Sequence, residues 1–363
     1  MTTIKKTFYL SALILSAGMS ASTAALSADN CKLRFTSAQL DQDLFVESVP
    51  FSRNLNEDRD YTIGMLFSFQ SCADSRNPLL NFSLQKKLLE WVHSSEENTH
   101  HYITSFGSST FTPDDLDTTA PVMSDKPYSS ILYMANSMIS ASPSGNSASE
   151  VDLSVSVLGL PFSKWMQTGI HTATRAISGK DSPSDPMGWH NQISNGGEPS
   201  AMIKASWYDR VSLKPKWLDL AYTASASAGY YTGASAGFIA KIGKVDKEMP
   251  VWQMAKWGGT HNSTHKGAYS SSLVREKYLI IANRLTLVGY NALLQGQFRR
   301  SSHELSAGQV KRFVIENTVG FGFKSGINNI NDWQFSCTRR SADHKLTQAR
   351  NHYWCGFGFT KTL

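Results

Sequence analysis

The sequence predicts an all-β chain, either a closed antiparallel barrel in a membrane or a soluble β-sandwich. Apolar and polar residues alternate with period two, as in Val151, Asp152, Leu153, Ser154, Val155, Ser156 and Val157, which gives a strand one apolar and one wet face. About twelve such segments recur between turn residues. Charged residues are only 18% of the 363 and aromatics are 11%, a balance that suits a membrane barrel or an exported β protein and excludes a disordered or coiled-coil chain.

The chain begins with Lys5 and Lys6, an apolar stretch from Phe8 to Ala17, and small residues through Ser22, Ala24, Ser27 and Ala28. This is the pattern of a secretory signal peptide, with cleavage after Ala24 or Ala28. Residues 1–28 are therefore expected to be removed and 29–363 to form one β domain. No later run reaches the roughly 18 apolar residues of a membrane helix, so membrane residence would require a closed barrel. The four cysteines of an exported chain permit disulfides; of the three pairings, the local one joins Cys31 to Cys72 and Cys337 to Cys355.

Strand segments fall near residues 43–49, 61–70, 100–107, 129–138, 151–157, 200–208, 218–225, 230–241, 277–298, 308–323, 331–339 and 351–360. Aromatics punctuate their ends, namely Trp207 with Tyr208, Trp217, Tyr230 with Tyr231, Trp333, and Tyr353 with Trp354, as in the interfacial girdles of membrane barrels. One segment breaks the pattern. Phe162 to Ile177 carries Trp165, Met166, Gly169, Ile170, Ala173 and Ile177 at helical spacing, with Pro161 at its first turn and Gly179 beyond its end. Gln167 and His171 project from one face of this short loop helix, one turn apart.

Glycine-rich phosphate loops, HExxH, CxxC and GxSxG are all absent, so zinc and elbow-serine chemistry are not indicated. Hydrolysis would use an activated water. The net charge of +6 comes without a basic run longer than a pair, which argues against nucleic acid as a partner. His171 is the candidate base, with Gln167 or a bound cation steadying charge on an ester oxygen. Three other polar stretches are distinctive: Asp58-Arg59-Asp60-Tyr61-Thr62-Ile63-Gly64; Phe111-Thr112-Pro113-Asp114-Asp115 with Lys126-Pro127-Tyr128-Ser129-Ser130; and Gly188-Trp189-His190-Asn191-Gln192.

Read in order with Gln167-Thr168-Gly169-Ile170-His171, these stretches resemble the outer-membrane lipid A 3′-O-deacylase family, the LpxR-like proteins. The resemblance spans roughly residues 45–200. It implies a 12-stranded antiparallel transmembrane β-barrel in the outer membrane of a Gram-negative cell, with an active site between the wall and a loop helix. The implied reaction is calcium-dependent hydrolysis of the ester that holds the 3′ acyloxyacyl chain of lipid A in lipopolysaccharide. His171 would be the general base and Gln167 its partner at the carbonyl oxygen. Lys126, in place of a family arginine, would meet the anionic sugar-phosphate region beside Tyr128. The family's first-strand Asn-Asp pair aligns with Ser48 and Val49, after Glu47. Valine cannot ligate a hard cation, so Glu47, Ser48 and the loop carboxylate Asp58 are the expected calcium ligands, and Asp181 stands for the family's later acidic residue. Val49 favours the alternative, a catalytically impaired barrel with a structural or lipid-binding role. A phospholipase-like barrel would need a nucleophilic serine with a partner histidine, which the sequence does not offer.

Overall fold

The computed structural model describes residues 35–43, 60–71, 87–88, 98–178, 185–247, 251, 275–325 and 331–362. Twelve strands close into one antiparallel barrel in chain order: β1 (Phe35–Gln42), β2 (Asp60–Ser71), β3 (Thr99–Thr112), β4 (Ser129–Ala141), β5 (Ser147–Leu158), β6 (Glu198–Val211), β7 (Leu218–Gly229), β8 (Tyr231–Lys244), β9 (Lys277–Asn291), β10 (Phe313–Ser325), β11 (Asn331–Arg340) and β12 (His352–Thr362). The seam pairs β1 with β12, from Phe35 opposite Thr362 to Gln42 opposite Cys355. Closure leaves no unpaired edge, which is what a lipid environment demands of a sheet. Between β5 and β6 lies α1 (Phe162–Ser178), the expected helix.

Alternation sets the two faces. Phe106, Val155, Tyr222, Leu279, Ile281, Leu285, Val319 and Phe321 face outward and are exposed, forming the apolar band of a barrel wall. The opposite residues face the lumen, polar or small along much of its length and large and apolar toward the two ends. There Arg284 and Arg340 flank Glu316 at 3.3 and 3.6 Å, and Tyr208 donates to Glu150. Two apolar clusters of lumen-facing and loop residues lie toward the ends of the barrel. One, at the α1 end, contains Tyr61, Phe111, Tyr133, Leu293, Leu305 and Trp354; the other, at the opposite end, contains Ile103, Ile139, Tyr208, Val251, Tyr278 and Ile280.

Several sequence expectations are corrected. A strand that the alternation did not reveal, because its lumen side (Ser37, Gln39, Asp41) is polar and its outer side has only Ala38 and Leu40 as apolar residues, runs over residues 35–42; of the expected 43–49 segment all but Asp43 lies outside the described residues. The 277–298 segment is cut at Asn291, whose side chain accepts the Leu293 N–H at 3.1 Å and caps the single turn α2 (Ala292–Gln295). Strand β10 begins at Phe313 and not at 308. Tyr208, Tyr230, Tyr231 and Trp354 are not girdle residues but buried ones. Cys337 and Cys355 stand opposite each other on β11 and β12 and form the expected disulfide. The segment 1–28, the Cys31–Cys72 pairing, Glu47, Ser48, Val49, Asp58 and Asp181 lie outside the described residues.

Candidate active site

One row of residues runs across the outer wall near the α1 end: Cys355, Gln42, Ile63, Thr110 and Ser130 are successive register partners from β12 through β4. Alternation points all five away from the lumen. Helix α1 lies against this row. Thr110 Oγ1 donates to Ser163 Oγ at 2.9 Å, and Met166 packs against the wall cluster of Ala38, Leu40, Ile63 and Cys355. Ser163, Gln167 and His171 are buried at i, i+4 and i+8, whereas Lys164, Trp165 and Thr172 are exposed. The polar stripe of α1 therefore faces the wall. Its other side presents an indole to the surroundings, as at a membrane interface.

Gln167 is 0% exposed and His171 is 2% exposed. Trp189, in a 3-10 turn (Trp189–Asn191), donates its indole N–H to Gln167 Oε1 at 3.0 Å. An indole only donates, so this bond fixes the orientation of the amide and turns its NH2 away from Trp189. Tyr128 supports the indole with ring centroids 5.0 Å apart. Gly188 permits the approach, since a Cβ there would stand 2.5 Å from the Tyr128 ring. The rest of this loop is tied down by Asn191 Nδ2 donating to Thr119 O at 2.7 Å, by the Ile193 N–H donating to Tyr128 O at 2.9 Å, and by Ser130 Oγ donating to Gln192 Oε1 at 3.0 Å. A buried imidazole and an oriented amide thus lie one turn apart on the helix face that meets the wall, a pairing suited to proton transfer and oxyanion stabilisation.

Lys126 is not placed where the sequence expectation put it. Its side chain is 0% exposed, and Nζ lies 3.1 Å from Asp60 Oδ1, 3.4 Å from Asp343 Oδ1 and 3.0 Å from His352 Nε2, to which it donates. Two carboxylates already neutralise it, so it is a closed ionic clasp and not a surface for a sugar phosphate. Arg350 joins the network at 3.0 Å from Asp60 and 3.4 Å from Asp125. Tyr128 is likewise buried and contributes by supporting Trp189.

The profile of the family described as outer membrane protein LpxR matches residues 9–362. The chain belongs to the LpxR family. Among solved structures it is similar to LpxR from Salmonella typhimurium, at 14% identity with a TM-score of 0.66, over 90% of this chain and 99% of that one. A looser likeness, at 7% identity and a TM-score of 0.41 over 91% and 99% of the two chains, is to the β domain of the Bordetella autotransporter BrkA. No curated protein sequence matches the chain. Membership assigns the barrel to the outer membrane. Ser48 and Val49 lie outside the described residues; the end of β1 brings an amide and a carboxylate together in sequence, Gln42 and Asp43, both buried. The signal that could have found them is the Asp41-Gln42-Asp43 run ending a short alternating stretch. Among the described residues no group of three or more His, Cys, Asp or Glu side chains forms a metal set.

Proposed function

We propose that this LpxR-family barrel is a lipid A 3′-O-deacylase that hydrolyses the ester of the 3′ acyloxyacyl chain with a water activated by His171. The observation that carries this reading is the buried polar stripe of α1, with Gln167 oriented by Trp189, facing the outer wall where an acyl chain can lie. In the reaction His171 takes the proton of water as it attacks the ester carbonyl. The Gln167 NH2 donates to the developing oxyanion, and the wall and helix exclude bulk water. The alkoxide of the sugar then leaves, taking a proton from the imidazolium.

Calcium is the cofactor of this reading. Calcium takes oxygen ligands, and the Gln42 amide and the buried Asp43 carboxylate at the top of β1 are of that type, so the residues fit. They would hold the ion, with further oxygens from the loop that includes Asp58. When bound, it would supply positive charge to the ester oxygen. Cationic contact to the sugar phosphates falls to exposed guanidinium groups. Arg299 and Arg300 are exposed at the mouth, and Arg299 is anchored to Gly197 O at 2.9 Å.

The test is expression in an outer membrane whose lipid A carries the 3′ acyloxyacyl group, followed by mass spectrometry of extracted lipid A. The wild type should remove the group in a chelator-sensitive way. His171→Ala should lower the rate by about 10²–10⁴-fold. Full activity in that variant would refute the assignment of the base, and inactivity of the wild type would leave an inert barrel.

A further inference from the structure

We infer that Lys126 is a positioning residue of the site, which acts by joining the wall to the loop that orients Gln167 and never touches substrate. The inference rests on the deacylase reading for its kinetic arm only. Strand order gives the geometry. β1 lies between β12 and β2, and Lys126 reaches Asp60 at the top of β2 and His352 at the top of β12. The ammonium therefore spans the end of β1, where Gln42 and Asp43 sit. Asp60 adopts φ 74°, a left-handed conformation that a non-glycine residue keeps only when its surroundings hold it. Lys126 and Arg350 do so. Asp343 brings in the 341–351 loop, and the Gln348 N–H of that loop donates to Ser124 O at 3.0 Å.

The other arm of the clasp is covalent. Two residues after Lys126, Tyr128 supports Trp189, and Trp189 holds the Gln167 amide. One buried charge thus fixes both the strand ends that form the wall and the loop that sets the catalytic amide. Removal of that charge takes from Asp343 its lysine partner and leaves Asp60 with the Arg350 charge alone, a loss that buried carboxylates do not tolerate in place. A displacement of about 1 Å in a preorganised site is enough to cost ~10²-fold in rate.

The experiment compares wild type, Lys126→Met and Lys126→Arg on lipid A and on lipid A stripped of its phosphates, each barrel checked for folding by heat-modifiable gel mobility. Lys126→Met should lower kcat by about 100-fold with KM within about twofold, by the same factor on both substrates, and Lys126→Arg should recover at least a tenth of wild-type kcat. A rise in KM confined to the phosphorylated substrate would overturn the inference, because a phosphate-contacting lysine behaves that way. If Lys126→Met does not fold, Asp343→Asn is read in the same way. A second measurement needs no activity. Spin labels at the exposed positions Met123 and Trp165 should give one narrow distance distribution in wild type and a broadened one in Lys126→Met. An unchanged width would overturn the clasp even if the wild type proved to be no hydrolase.

Discussion

In the proposed reaction a single indole decides which end of the Gln167 amide faces the ester. Trp189→Phe keeps an aromatic ring against Tyr128 and deletes the N–H, so the amide loses the bond that Trp189 gives its oxygen. The loss of one buried hydrogen bond, about 1 kcal/mol, should lower kcat roughly fivefold with little change in KM, measured in detergent-solubilised lipid A. Asp125 shows a different kind of residue-level control. Burial pushes its carboxyl upward, but the His344 hydrogen bond, the Lys126 N–H and the Lys126 and Arg350 charges outweigh this and hold it at about 2, below the ordinary 3.8. The Leu346 N–H donates to His344 Nδ1 at 3.3 Å, which leaves Nε2 to carry the proton toward Asp125 Oδ1 at 3.3 Å. Asp343 is depressed in the same direction, burial being outweighed by Lys126, His352, Arg340 and His344. A depressed carboxyl stabilises the folded loops fully above about pH 4 and loses that contribution as pH falls through its folded value. Pepsin should therefore spare the 113–128 loop near pH 4 and cut it as pH approaches 2; early cutting at pH 4 would contradict the network.

At the scale of elements, the junction of β5 and α1 sets where the helix lies. Gly159 has φ 70°, and a Cβ there would stand 2.1 Å from the Ser194 carbonyl oxygen, so Gly159→Ala must push the junction off the 185–197 loop. We expect at least a tenfold loss of deacylation with barrel mobility on gels unchanged, since Gly159 lies just past the β4–β5 register and contributes to it one terminal bond, to Ser130 O at 3.0 Å. The helix, its Gln167-His171 face and the Gly188–Gln192 turn were legible in the sequence because their signals are local: spacing, a proline at the start, a glycine beneath a ring. β1 was not, because half of its residues face a polar lumen and the other half are small. The burial of Lys126 was also beyond reach, as its partners Asp343 and His352 lie more than 200 residues away. Nor could the alternation reveal that α1 docks on the outer wall, because a lumen-facing helix would show the same amphipathic stripe. Ser130 illustrates the gain from coordinates: its hydroxyl anchors Gln192, a contact between two residues that the sequence does not bring together.

For the whole molecule, the two apolar clusters predict that the barrel is not a pore. Reconstituted into a planar bilayer, the protein should pass no steady ionic current, and porin-like conductance would show that the packing of Tyr61, Phe111 and Trp354 above and of Ile139, Val251 and Ile280 below is not as described. The helix on the outer face is then the place where function and membrane meet. Its location implies two-dimensional kinetics. A glycolipid would reach His171 sideways, by gliding within its own leaflet, so turnover should follow the mole fraction of substrate in a micelle or vesicle and fall on admixture of inert amphiphile at constant bulk concentration.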